Sequence, residues 1–141
     1  MNEYSFDELN IGLKESFNVT ITDEMMKKFM DITGDINPLH TDKEYAESKG
    51  FNKEVVYGMM TSSFLSTLAG VYLPGKYSLI QGVQILMKKP VFTGDEITVT
   101  GEVTEKFQPG KRITIKVNMI NQYGEKVLRG KMEIGVMDGI Q

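Results

Sequence analysis

Apolar side chains alternate with polar ones near the N-terminus, then recur at helical spacing, and return to strict alternation through the C-terminal half. Phe17, Val19 and Ile21 are separated by polar residues, which predicts a short strand exposed on one face. Thr22-Asp23-Glu24 supplies a helix N-cap followed by acids in the first turn, and Met25, Met26, Phe29 and Met30 follow at helical spacing, so a short amphipathic helix should end near Gly34. Thr41-Asp42-Lys43-Glu44 has capping-box spacing with Thr41 at the cap, and Gly50 sits where a left-handed C-terminal residue belongs. A second short helix is expected over 42–49. Residues 55–75 carry no charge and predict a long helix from 58 to 72, stopped by Pro74-Gly75.

The period then becomes two. Ile97, Val99 and Val103, then Ile113, Ile115, Val117 and Met119, then Leu128, Met132, Ile134 and Val136, define three long strands, and residues 78–88 a strand before them. Thr93-Gly94-Asp95, Gln108-Pro109-Gly110-Lys111 and Gln122-Tyr123-Gly124-Glu125 mark turns. Strands joined by short turns pair antiparallel, and a sheet apolar on one face needs an apolar cover. A fifteen-residue helix is roughly 22 Å long, about the span of seven strand residues, so the uncharged helix can lie along the sheet. The expected fold is α+β, with a curved antiparallel sheet wrapped around a central helix as one unit over residues 1–141. The ten Met residues are expected to fill that core.

Composition narrows the chemistry. With no Cys there is no disulfide framework, thiolate nucleophile or iron–sulfur cluster, and a single His removes metal sites that need two imidazoles. A net charge of −3 argues against a binder of phosphate backbones, so no nucleic-acid partner is expected. The acidic start Met1-Asn2-Glu3-Tyr4-Ser5-Phe6-Asp7-Glu8 has no secretion-signal pattern, which points to the cytoplasm and makes the Asn18-Val19-Thr20 sequon incidental. Thr61, Ser62, Ser63, Ser66 and Thr67 make the uncharged stretch too polar to span a membrane. Gly70-Val71-Tyr72-Leu73-Pro74-Gly75-Lys76-Tyr77 resembles a phosphate loop, but Tyr77 replaces the hydroxyl ligand of magnesium and the segment follows a helix, not a strand.

Thr33-Gly34-Asp35-Ile36-Asn37-Pro38-Leu39-His40 brings the lone His within five residues of an Asp, in a loop restricted by Pro38 and given freedom by Gly34. Read alone, Asp35 and Asn37 serve equally well as turn formers and caps. The whole segment, from Phe29 through Thr33-Gly34-Asp35 and Asn37-Pro38-Leu39-His40 to Ala46, resembles the signature of the MaoC-like, (R)-specific enoyl-CoA hydratases. The resemblance continues through Gly58-Met59-Met60-Thr61-Ser62-Ser63, Leu73-Pro74-Gly75-Lys76 and Lys89-Pro90-Val91-Phe92-Thr93-Gly94-Asp95-Glu96.

That resemblance implies a hot-dog fold and reversible, cofactor-free syn addition of water to a trans-2-enoyl-CoA, giving the (R)-3-hydroxyacyl-CoA. It implies Asp35 and His40 as the catalytic pair, Asn37 as an orienting residue, the Gly58 N–H as oxyanion donor, and Ser63 as a hydroxyl near the carboxylate. It also implies a homodimer or higher oligomer. Lys88, Lys89 and Arg112 are candidates for the CoA phosphates, and no metal is expected. Tyr57 departs from the family, which often carries His there, and puts the shape of the acyl pocket in question. An acyl-CoA thioesterase and a non-catalytic acyl-thioester-binding module are the alternative readings.

Overall fold

The computed structural model describes residues 1–139, so the last two residues of the expected unit lie outside the described residues. Five strands form one antiparallel sheet: β1 (Lys14–Thr20), β2 (Ser78–Met87), β3 (Glu96–Phe107), β4 (Arg112–Ile120) and β5 (Lys126–Val136), in the order β1-β3-β4-β5-β2. The helices α1 (Asp23–Thr33), α2 (Pro38–Thr41), α3 (Lys43–Ser48) and α4 (Gly58–Thr67) all fall between β1 and β2. The register sets Val99 opposite Met119, Val103 opposite Ile115, and Ile115 opposite Met132. The buried positions of β3, β4 and β5 thereby share the face that α4 and the following turn cover, with Leu65, Leu68 and Ala69 in the core. This is the sheet around a central helix that the alternating periods and the uncharged helix predicted, and the hot-dog arrangement that the resemblance implied.

The structure corrects three details. The long helix is α-helical only through Thr67, and Leu68–Tyr72 form a wider π-type turn in which the Leu73 N–H donates to the Leu68 carbonyl at 2.8 Å. Pro74 has no N–H to offer the Gly70 carbonyl, so an α-helical last turn would lack a bond there. The third helix is capped by Asp42, whose carboxylate accepts from the Tyr45 N–H, and not by Thr41. Thr41 is already the last residue of α2, a helical turn where a loop was expected, and its hydroxyl donates to the Asn37 carbonyl.

The third correction concerns the methionines: Met60, Met119 and Met132 are buried in the core, whereas Met1, Met59, Met87 and Met137 are exposed. Along α4, Met60, Thr61, Ser62 and Leu65 are buried, but Met59 is 63% exposed and Ser63 and Ser66 are also open, which leaves one stripe uncovered. β2 pairs only with β5 and exposes Leu79, Ile80, Val83, Leu86 and Met87, an apolar edge continuous with that end of the fold. Among the described residues no helix is long and apolar enough to cross a membrane.

Candidate functional site

A chain of local bonds shapes the segment between α1 and α2. Gly34 adopts φ 72 at the end of α1 and its N–H donates to the Met30 carbonyl, reversing the chain. The Asp35 N–H donates to the Thr33 hydroxyl at 3.2 Å, the Asn37 N–H to Asp35 Oδ1 at 3.0 Å, and the Leu39 N–H to Asn37 Oδ1 at 2.9 Å. Asn37 is thus the N-cap of α2, with Pro38 in the first helical position. The turn it caps carries His40.

His40 is half-buried, and its Nδ1 lies 2.6 Å from the Val55 carbonyl oxygen. A carbonyl can only accept, so Nδ1 carries the proton and Nε2 holds a lone pair free to take one. The Val55 N–H in turn donates to the Leu39 carbonyl, which locks this strand-like segment alongside α2. Asp35 is exposed, with one carboxylate oxygen engaged by Asn37.

Tyr57 is 2% exposed and packs behind both residues. Its hydroxyl donates to the Asp35 backbone carbonyl at 2.7 Å, and its ring centroid lies 4.2 Å from that of His40 and 5.0 Å from that of Phe29. Burial raises the phenol pKa and the Asp35 charge raises it further, so the hydroxyl remains a donor at neutral pH. Tyr57 does not line the cavity described next; its contacts are with the segment that carries Asp35 and His40.

α4 begins at Gly58, beside a cavity of about 280 Å³ whose walls include His40, Val55, Thr61, Met87 and Lys88. The Tyr57 carbonyl accepts from the Met60 and Thr61 N–H groups, whereas those of Gly58 and Met59 have no backbone acceptor among the described residues. Such amides at a helix start favour negative charge. The Gly58 Cα faces the Met87 thioether so closely that a Cβ would overlap it. Thr61 was not anticipated; its Oγ1 is buried without a hydrogen-bond partner, unlike the Ser62 hydroxyl, which donates to the Gly58 carbonyl. No sequence signal separated it from neighbouring helix hydroxyls.

Other expected positions distribute differently. Ser63 lies outside the cavity lining, on the exposed stripe of α4, and its hydroxyl donates to the Met60 carbonyl of its own helix. Lys88 and Lys89 line the cavity, with Lys89 paired to Glu125. Arg112 stacks over Phe107 at the far end of β4 from Ile120, roughly 27 Å of strand away at 3.4 Å per residue. The phosphate-loop lookalike is a helix stop, with a cis Leu73–Pro74 bond and Gly75 at φ 88. No group of three potential metal ligands occurs among the described residues.

His40 can act as a base while the α4 amides stabilise charge on an oxygen in the same cavity, which suits proton abstraction or addition beside a carbonyl. Known proteins carry the same frame. The (R)-specific enoyl-CoA hydratase of Aeromonas caviae is 32% identical over 127 residues, covering 90% of this chain and 95% of the relative. That of Rhodospirillum rubrum is 28% identical over 131 residues, covering 93% and 90%. The unliganded R-hydratase of Pseudomonas aeruginosa superposes with a TM-score of 0.89 at 29% identity, covering 96% of this chain and 86% of that one. Residues 8–124 match the family described as MaoC like domain. The Asp35–His40 segment and the start of α4 fall inside that match, and the chain belongs to the MaoC-like domain family.

Proposed function

We propose that the protein is an (R)-specific enoyl-CoA hydratase, a hydro-lyase that adds water reversibly to a trans-2-enoyl-CoA. The observation that carries this reading is His40, its Nδ1 held by the Val55 carbonyl, on the same cavity wall as the start of α4. Asp35 and His40 hold one water, and His40 Nε2 accepts its proton as the oxygen bonds to C3. The electron pair of the C2–C3 double bond moves toward the thioester oxygen, where the Gly58 N–H stabilises the developing enolate. A proton returned to C2 from the same side completes syn addition, and dehydration is the same path reversed.

The apolar lining by Val55, Val91, Val127 and Leu128 fits an acyl chain, while Lys88 is suited to a CoA phosphate. The open stripe of α4, with Ser63 on it, and the apolar β2 edge support a homodimer in which a second copy covers both. The unit over residues 1–141 works as one domain in the cytoplasm, where a cysteine-free chain needs no oxidising environment. The test is loss of the conjugated enoyl-thioester absorbance of crotonyl-CoA, with chiral analysis of the product. His40→Ala and Asp35→Asn should each lower kcat by at least about a hundredfold without unfolding the protein. An (S) product, free CoA release in place of hydration, or an active His40→Ala variant overturns the reading.

A further inference from the structure

We infer that Tyr57 is a positioning residue that holds the Asp35 main chain and the His40 ring as one unit, an inference that rests on the hydratase reading above. Asp35 sits in a segment whose other hydrogen bonds are all local: Gly34 to Met30, Asp35 to Thr33, Asn37 to Asp35. Among the described residues, the Tyr57 hydroxyl on the Asp35 carbonyl, at 2.7 Å, is the one hydrogen bond tying residues 34–36 to a distant part of the chain. The same ring rests against the imidazole of His40, 4.2 Å between centroids and tilted by 31°. Tyr57 also directly precedes Gly58, so one buried side chain and its peptide connect the carboxylate loop, the imidazole and the oxyanion donor.

The energetic consequence is asymmetric. Asp35 is exposed, so without the phenol its carbonyl can turn to water, and a phenylalanine at 57 would bury no unpaired donor. Removing the hydroxyl therefore costs little folding stability. What it releases is the freedom of residues 34–36, and a small displacement of a catalytic carboxylate is costly to rate.

The experiment compares wild type, Tyr57→Phe, Tyr57→Leu and the packing control Ile113→Val. Each is assayed for crotonyl-CoA hydration and thermal unfolding, and backbone order parameters are measured at Asp35 and Ile36. Tyr57→Phe keeps the ring against His40 and should lose kcat by about tenfold, with KM within about twofold and little change in melting temperature. Its Asp35 and Ile36 amides should become more mobile. Tyr57→Leu also removes the ring from His40 and should lose kcat further. Ile113→Val, at a core position of β4 away from the cavity lining, should lower stability while leaving kcat unchanged. A Tyr57→Phe protein with wild-type kcat and wild-type order parameters overturns the inference, as does a kcat loss that Ile113→Val reproduces at matched stability. A wild type that fails to hydrate crotonyl-CoA overturns the hydratase reading instead, and the order parameters still decide whether Tyr57 restrains the loop.

Discussion

Gly58→Ala separates chemistry from folding at the start of α4. Gly58 has ordinary helical backbone angles, so alanine meets no backbone strain there. The added Cβ would overlap Met87 Sδ and lie 2.8 Å from Met87 Cε. Met87 is half-exposed on the edge strand and has three rotatable bonds, so it can swing aside for about 1 kcal/mol or less. Alanine in place of glycine returns at most about 0.8–1.0 kcal/mol of helix propensity, and less in a first turn. The two effects nearly cancel, and the melting temperature should move by no more than about 4 °C. Activity should respond very differently. A thioester oxygen must approach the Gly58 nitrogen to about 2.7–3.1 Å, and the new methyl and the displaced thioether both occupy that approach. Losing one such donor costs about 10²–10³ in kcat, equivalent to about 2.7–4 kcal/mol. The assay is the initial rate of crotonyl-CoA hydration beside a thermal melt of the same preparation. A variant that retains kcat within about threefold of wild type would refute the assignment of the Gly58 N–H as oxyanion donor.

Three other substitutions test the frame around the site. Asp138 accepts from the Lys111 ammonium and the Phe6 N–H, which hold its carboxyl below the usual carboxylate range. A depressed pKa contributes stability that is present at neutral pH and lost as pH falls through the folded-state value. Asp138→Asn should therefore cost about 1–2 kcal/mol at pH 7 in denaturant melts, and the two proteins should converge on acidification; a constant gap at all pH values would contradict the assignment. Thr61→Val replaces a buried, unpartnered hydroxyl with an isostere and should be neutral or stabilising by about 1 kcal/mol. A clear loss of stability would reveal a bonded hydroxyl. Gly130 lies opposite Ile85 and Val117, and a Cβ there would run into the Gln84 backbone carbonyl, so Gly130→Ala should destabilise by about 1–3 kcal/mol in the same melts.

Where local chemistry alone decides structure, the sequence was legible. Thr22 caps α1, Gly34 and Gly50 take positive φ, and the alternating residues of β3, β4 and β5 face one core. Thr41 misled because the capping-box spacing is shared by residues 41–44, while Pro38 had already begun a helical turn that included Thr41. The helix boundary at Thr67 was missed for a related reason, since the missing N–H of Pro74 acts several residues upstream.

At the candidate site the division is sharper. The sequence by itself narrowed the candidates for acid–base chemistry to the lone His and a nearby carboxylate, because the chain has no Cys and no second imidazole. It also determined the local turn, since Asp35, Asn37 and Pro38 each act on backbone groups within two residues. Only the tertiary structure decided the tautomer of His40, set by a carbonyl fifteen residues away, and the union of Asp35 with His40 through Tyr57, twenty-two residues from Asp35. Those contacts depend on how the chain returns past α2 before entering α4, and no spacing along a sequence encodes the meeting of side chains that packing brings together.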